Sequence, residues 1–189
     1  MPRVAIGLAV TFALVIVAFH VLRPDVDPLA RGVSRYAVGR YGEVFNVVSL
    51  VLAFAFVVTG FGFRQAAPDS GTLGVYLLWL GAAGMVFVAV FPLRAVDSMA
   101  RENLPHQIGG MVFFVTAAAA PVLLSRAVGR HGALAWGVVA ATAVFFLSVG
   151  VPALIGIRGL LQRVCFATIV AWLIVANAAL DRLRTSGSE

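Results

Sequence analysis

The chain has 189 residues, of which 61% are hydrophobic and only 12% charged, and its mean hydropathy is +1.01. Soluble domains are about half apolar and about a quarter charged, and a fold this small cannot hide so much apolar surface from water. The composition therefore excludes a soluble globule and a disordered chain, and predicts a protein that uses the lipid bilayer as its solvent.

The positive charge comes from fourteen arginines, and the chain has no lysine. The arginines lie between apolar runs, as in membrane proteins, and not in a basic stripe with interleaved aromatic residues. We therefore expect no nucleic-acid partner, despite a pI near 11.0. The single cysteine, Cys165, excludes an internal disulfide and a CxxC site.

Six stretches are apolar for about the 20 residues that a membrane-spanning helix needs, and none alternates as barrel strands do. The first is longer than the apolar part of a cleaved signal peptide and lacks a cleavage motif, so we interpret it as a retained span. The sequence predicts one all-α integral-membrane domain over residues 1–189, a bundle of six transmembrane helices. The predicted spans are 4–22, 44–63, 73–93, 108–124, 133–154 and 160–180.

The linker between the first two predicted spans, residues 23–42, is long and reads RPDVDPLARGVSRYAVGRYG. Asp27 followed by Pro28 is a helix-start signal, and Gly32 is a stop signal. A long loop in a compact chain is usually functional or disordered, and the aromatic and aliphatic content of this one argues against disorder. We expect an ordered first loop that packs over one face of the bundle.

In a protein with six spans, linkers one, three and five lie on the same side of the membrane. Most of the polar side chains near the span ends belong to these three linkers, so they gather on that side. Polar groups at membrane depth are costly and tend to mark function. Arg163 lies about one turn inside an apolar run, and we expect Asp97, Glu43 or Tyr36 to be its partner. The residues expected to line one cavity are His20, Tyr36, His106 and Arg163.

The candidate site has two sets of residues. The candidate ligand-binding residues are Arg35, Tyr36, Glu43, Arg94, Gln162 and Arg163, because several arginines can hold a phosphate or carboxylate headgroup bidentately. The candidate catalytic residues are His20, His106 and Asp97, because histidine titrates near neutrality and can act as a general acid or base.

Each of these residues also has an ordinary explanation. Arg163 can snorkel to the headgroup layer, His20 can hydrogen-bond a loop carbonyl, and Asp97 can belong to a solvated loop. The two histidines with a carboxylate would make a mixed metal-ligand set, but no compact motif such as H-E-x-x-H is present. We therefore expect no metal and no other cofactor, and the absence of charged residues in the span centres disfavours a pump or channel.

Several short motifs follow one another in a distinctive order along the chain. They are His20, Asp27-Pro28, SRYAVGRYG over residues 34–42, Phe91-Pro92, His106 and Gln162-Arg163. Their order resembles that of a bacterial and archaeal integral-membrane family of unknown function, DUF998. Its members have about six spans, an Asp-Pro loop that leads to Ser-x-Tyr-Ala-x-Gly-x-x-Gly, and a Gln-Arg pair that opens the last span.

Two segments depart from the family pattern. Leu93-Arg94 follows Phe-Pro where the family tends to have Thr-Asp, and Gln107 follows His106 where the family often has Gly and then a second histidine. If two histidines form a site in relatives, that site is weakened here. The resemblance implies the fold and the position of the site, and it carries no established activity.

The favoured function is the binding of an amphipathic or lipid-like ligand in a polar pocket at one membrane face, by a sensor or a transport accessory protein. The alternative is a membrane-embedded hydrolase or transferase that acts on a lipid or isoprenoid, and a third is a structural subunit. We expect a multi-pass protein of the cell membrane with cytoplasmic termini, although six arginines on the terminal side against eight on the other slightly favour the reverse. The sequence indicates no oligomeric state.

Overall fold

A computed structural model describes residues 1–68, 71–94, 101–128 and 132–186 of the chain. Within these ranges the regular secondary structure is entirely helical, and six helices are long and apolar enough to cross a membrane. The predicted all-α architecture with six membrane-spanning helices is therefore confirmed. The helices are α1 Pro2–Leu22, α2 Gly42–Ala66, α3 Thr72–Val90, α4 Leu104–Leu124, α5 Gly132–Gly150 and α6 Arg158–Ser186.

Two helices end earlier than the apolar runs that predict them, and a proline is the reason in both. α3 ends at Val90, two residues before Pro92, and α5 ends at Gly150, two residues before Pro152. A helical conformation is disfavoured for the residue before a proline, so the helix ends before it. The run of apolar residues continues past this point, and for that reason the predicted span is too long. After α5 a short 3-10 helix, Pro152–Ile157, leads directly into α6.

The helices form a closed bundle, because the last helix, α6, packs against the first, α1. Consecutive helices pack against each other, and α6 packs on α1 and α2 as well as on α5. The spans of α1 and α5 are only 28% and 22% buried, compared with 56% for α2. α1 and α5 therefore form much of the outer, lipid-facing surface, while α2 is the most enclosed helix.

A close helix crossing joins α3 to α4 through two glycines, Gly84 and Gly109. A Cβ built on Gly84 would lie 2.7 Å from the carbonyl oxygen of Gly109, and one built on Gly109 would lie 2.8 Å from the carbonyl oxygen of Gly84. Small residues allow helix backbones to approach in a medium where apolar burial alone does not drive helices together. The crossing therefore holds α4 directly against α3.

The linker over residues 23–41 is packed against the bundle by its own apolar side chains. It contains the 3-10 helix Val33–Ala37, and Val26, Val33 and Tyr36 are at most 4% exposed. The Tyr36 ring stacks on Phe19 of α1 with 4.7 Å between the centroids. The linker therefore has a small core that is continuous with the core of the bundle.

Arg23 ties the two ends of the linker together. Its guanidinium donates to both carboxylate oxygens of Asp25, at 2.8 and 2.7 Å, and to the carbonyl of Arg40 at 2.8 Å. Hydrogen bonding to Arg23 lowers the pKa of Asp25, and the same bond raises the pKa of Arg23. A lowered carboxylate pKa contributes stability above the unfolded-state pKa and loses it as the pH falls through the folded-state pKa, so this contact weakens only in acid.

Candidate functional site

Arg163, in the second turn of α6, is the centre of a hydrogen-bonded cluster that joins three segments of the chain. Its guanidinium donates from all three nitrogens to five acceptors. We call this group the Arg163 cluster. The acceptors are His20 Nε2 at 2.9 Å, Pro28 O at 2.9 Å, Arg31 O at 2.7 Å, Gly159 O at 3.0 Å and the Tyr36 hydroxyl at 3.0 Å.

The partner of Arg163 is only partly the expected one. Of the three residues considered from the sequence, Tyr36 makes the contact, and Asp97 lies outside the described residues. Glu43 is exposed and lines a separate, open hollow of about 440 Å³ beside Asn46. The guanidinium is therefore held by carbonyls, a phenol and an imidazole, which the backbone path of the linker brings together.

Both ring nitrogens of His20 form hydrogen bonds to other groups of the protein. Its Nδ1 lies 2.8 Å from the carbonyl of Ile16, which can only accept, so Nδ1 carries the proton. Its Nε2 lies 2.9 Å from Arg163 Nε, which can only donate, so Nε2 is the acceptor. The hydrogen-bond network thus assigns a neutral imidazole whose two nitrogens both bond to groups of the protein, although the residue is exposed.

The linker backbone runs directly beside the first turn of α6. The amide of Leu160 donates to the carbonyl of Leu29 at 3.0 Å, and the amide of Val33 donates to Gln162 Oε1 at 2.6 Å. Gly159 permits this approach, because a Cβ there would collide with the backbone carbonyl of Arg31. The start of α6 therefore supports the linker through backbone contacts as well as through Arg163.

Replacing Gly159 by Ala is expected to detach this part of the linker. The added methyl meets backbone atoms that cannot rotate away, so we expect amide exchange over residues 28–36 to accelerate by about tenfold or more. Hydrogen–deuterium exchange with mass spectrometry measures the change. Gly156→Ala is the matched control, since a Cβ at Gly156 has no atom within 4 Å, and equal exchange in the two variants would contradict the role given to Gly159.

A cavity of about 520 Å³ is lined by the linker, by α4, α5 and α6, and by one or two residues from each of α1, α2 and α3. Its inner wall is aromatic, and the rings are in mutual contact, with Phe166 5.1 Å from Phe114 and 5.3 Å from Phe12 between centroids. We call this space the α4–α6 cavity. The phenylalanines that line it are Phe12, Phe45, Phe113, Phe114, Phe145, Phe146 and Phe166.

Two helices carry the same polar-to-apolar gradient along the α4–α6 cavity. On α6 the lining residues follow at four-residue intervals, which places them on one helix face, and α4 has an equivalent series. Eight residues of helix rise about 12 Å, so the polar and aromatic ends of the cavity are well separated. The two series are Arg158, Gln162, Phe166 on α6 and His106, Gly110, Phe114 on α4.

The other predicted site residues are divided between the cavity and the surface. Arg35, His106 and Gln162 line the α4–α6 cavity, and His106 Nδ1 lies 3.0 Å from the carbonyl of Phe91. The Arg94 side chain is exposed. The structure thus brings His20, Tyr36 and Arg163 together in one cluster and places His106 in the neighbouring cavity, and the roles assigned to all these residues remain predictions.

Two groups of cavity residues were not among the sequence-based candidates. Arg31 and Arg158 line the polar end, and the phenylalanines line the inner wall. The four-residue spacing of Arg158, Gln162 and Phe166 was visible in the sequence and could have indicated the α6 face. In the described parts of the chain, no group of three or more His, Cys, Asp or Glu side chains is placed to hold a metal ion.

Six apolar helices with an arginine-rich polar face define a multi-pass membrane protein. The family model described as "Protein of unknown function (DUF998)" matches residues 5–179. The chain belongs to this family, as its motifs predicted. No curated protein and no solved structure matches it.

Proposed function

We propose that this protein binds an amphipathic, lipid-like ligand in the α4–α6 cavity, as a sensor or an accessory to transport. The observation that carries the proposal is the gradient along the cavity, from arginine, histidine and glutamine at the linker end to phenylalanine inside. A cavity of about 520 Å³ lies within the usual range of ligand pockets, roughly 300–1,000 Å³. Such a cavity matches a molecule with a polar head and an apolar chain.

The α4–α6 cavity also reaches the lipid-facing surface. Met111 of α4 and Val149 of α5 both line it, and they are 58% and 48% exposed. Residues that face the cavity and the outside at once mark an opening between these two helices. A chain-bearing ligand can enter from the bilayer through this opening, and a chain too long for the cavity can extend back into lipid.

The proposal is one of binding and not of catalysis. His20 has both nitrogens engaged in the Arg163 cluster, and His106 Nδ1 is directed to a backbone carbonyl. Among the described residues, neither histidine hydrogen-bonds a carboxylate that would orient it as a general base. In the described part of the chain, the lipid-directed hydrolase or transferase therefore has no supporting observation, and Asp97, the third candidate catalytic residue, lies outside that part.

Photolabelling tests whether a chain enters the cavity. The probe is a monoacylglycerol with a diazirine in its chain, added to the protein in lipid nanodiscs, and labelled residues are mapped by mass spectrometry. We expect labelling at Phe113 and Phe166, which are 0% and 8% exposed and are reached from the cavity and not from the outer surface. Labelling confined to outward-facing residues would overturn the proposal.

A filling variant makes the same test specific. A Cβ at Gly110 meets no atom within 4 Å and Gly110 lines the cavity, so Gly110→Leu should occupy the space and abolish interior labelling. Gly137→Leu is the control, because Gly137 also has open space around it but lies on α5 away from the cavity lining. The control variant should label like the unmodified protein.

A further inference from the structure

The side-chain amide of Gln162 is held by the linker at its oxygen and faces the α4–α6 cavity with its nitrogen. The side chain is 8% exposed, and its Oε1 accepts a hydrogen bond from the amide of Val33 at 2.6 Å. A backbone amide can only donate, so this contact fixes which end of the side chain is oxygen and which is nitrogen. The Nε2 group, with two hydrogens to donate, is therefore the end that lines the cavity.

The Nε2 group of Gln162 has no hydrogen-bond partner among the described residues. It is also not sealed inside the protein, unlike the partnerless polar atoms of Asn46, Trp172 and Asn177. A ligand that fills the cavity shields this group from water, and a buried donor without an acceptor is costly. A tightly bound ligand must therefore bring an acceptor oxygen to Gln162.

The position of Gln162 on α6 decides which part of a ligand meets it. Arg158 lies one turn before it, about 6 Å toward the linker end, and Phe166 lies one turn after it, about 6 Å toward the aromatic wall. The Phe166 ring is in contact with Phe114, with 5.1 Å between the centroids, so the aromatic part of the cavity begins one turn from Gln162. Gln162 thus lies at the height where the head of an amphipathic ligand joins its chain.

We propose that the Nε2 group of Gln162 binds the carbonyl oxygen of an acyl lipid. This inference rests on the proposed function and names the chemical class of its ligand. An acyl lipid has a carbonyl group at the point where its chain joins its head, as an ester or an amide. The carbonyl oxygen projects from the chain and is a neutral acceptor with two lone pairs, which suits a neutral amide donor. An ether-linked or isoprenoid chain has no carbonyl at that point.

Two photolabelling probes that differ only in this carbonyl test the proposal. One is the monoacylglycerol probe, and the other is an alkylglycerol ether with the same chain length and the same diazirine. Both are added in nanodiscs of ether-linked phospholipid, whose chains offer no competing carbonyl. We expect the ester probe to reach half-maximal labelling of Phe113 and Phe166 at a concentration about fivefold lower than the ether probe, the effect of one neutral hydrogen bond.

Gln162→Glu tests whether the preference belongs to the Nε2 group. Glutamate keeps an oxygen for the amide of Val33 and replaces the donating group by a second acceptor, so the advantage of the ester probe should fall to about twofold or less. Gln65→Glu makes the same substitution at an exposed position near the end of α2 and should keep the full advantage. If the added charge prevents labelling by both probes, Gln162→Met removes the donor without a charge and should show the same reduced advantage.

The outcomes separate the acyl-carbonyl site from the proposed function. Interior labelling by both probes at equal concentrations, or an ester advantage that survives the loss of the Gln162 donor, overturns the carbonyl site and leaves chain binding intact. No interior labelling by either probe overturns both. An amide-linked probe with the same chain, an N-acyl aminopropanediol, identifies the source of the carbonyl: labelling at a lower concentration than the ester probe assigns an acyl amide, and labelling at a higher one assigns an acyl ester.

Discussion

Replacing Gly109 by Ala should lower the free energy of unfolding by about 1–3 kcal/mol, the usual cost of inserting a methyl group into a close-packed contact. The new Cβ would lie 2.8 Å from the carbonyl oxygen of Gly84, 2.8 Å from Phe87 Cβ and 3.1 Å from the amide of Val88. Two of these three neighbours are backbone atoms of α3, which cannot rotate away. The α3–α4 crossing must therefore widen, and every contact along it weakens.

The neighbouring glycine provides the control for this prediction. Gly110 belongs to the same turn of α4, but a Cβ there meets no atom within 4 Å. Alanine is a better helix former than glycine by roughly 0.5–1 kcal/mol, so Gly110→Ala should leave stability unchanged or raise it slightly. Thermal and denaturant unfolding in detergent, followed by circular dichroism, compares the two variants, and equal stabilities would refute the close crossing.

Arg163→Met is the second change with a large expected effect, because it removes the guanidinium that donates all five hydrogen bonds. Methionine has a similar side-chain volume, so the packing around it should change little. A hydrogen bond from a charged group contributes roughly 1.5–3 kcal/mol, but several of these contacts are open to water, which can replace the lost donor. We expect a loss of about 2–3 kcal/mol. Amide exchange over residues 28–36 should accelerate with it, since the carbonyls of Pro28 and Arg31 lose their donor.

Two further variants show whether the effect belongs to the geometry of Arg163. Arg163→Lys keeps the charge, but an ammonium group lacks the planar fork of donors that reaches both His20 and Tyr36. The stability of this variant should therefore fall between that of the unmodified protein and that of Arg163→Met. Arg158→Met removes an arginine from the same helix and should change stability by no more than about 0.5 kcal/mol. A linker that exchanges equally in Arg163→Met and Arg158→Met would contradict the account of the cluster.

The six helices were predictable because the bilayer allows few alternatives. A chain segment in hydrocarbon must satisfy its backbone hydrogen bonds internally, so an apolar run of sufficient length becomes a helix. The helix ends were less predictable where hydropathy and backbone geometry disagree, as at Val90 and Gly150. At these two positions the nearby proline sets the helix end, because it restricts the backbone of the residue before it. Hydropathy measures only how apolar the side chains are, so it does not register this restriction.

The meeting of His20 with Arg163 followed from topology, since the end of the first helix and the start of the sixth must lie on the same side. The nature of the contact did not follow. A carboxylate was among the expected partners of Arg163, but backbone carbonyls of the linker make two of its bonds. Which carbonyls face α6 depends on the close approach at Gly159, and sequence spacing does not encode that approach.

The sequence by itself determined the class of protein, the number of helices, the family and the face on which polar residues gather. Only the tertiary structure decided which of those residues surround a cavity. The physical reason is that lipid and protein interior are similarly apolar, so a phenylalanine facing the cavity has the same sequence signature as one facing the bilayer. Phe114 lines the α4–α6 cavity and Phe54 lies 54% exposed on the outer surface of α2, and only the packing of the helices distinguishes them.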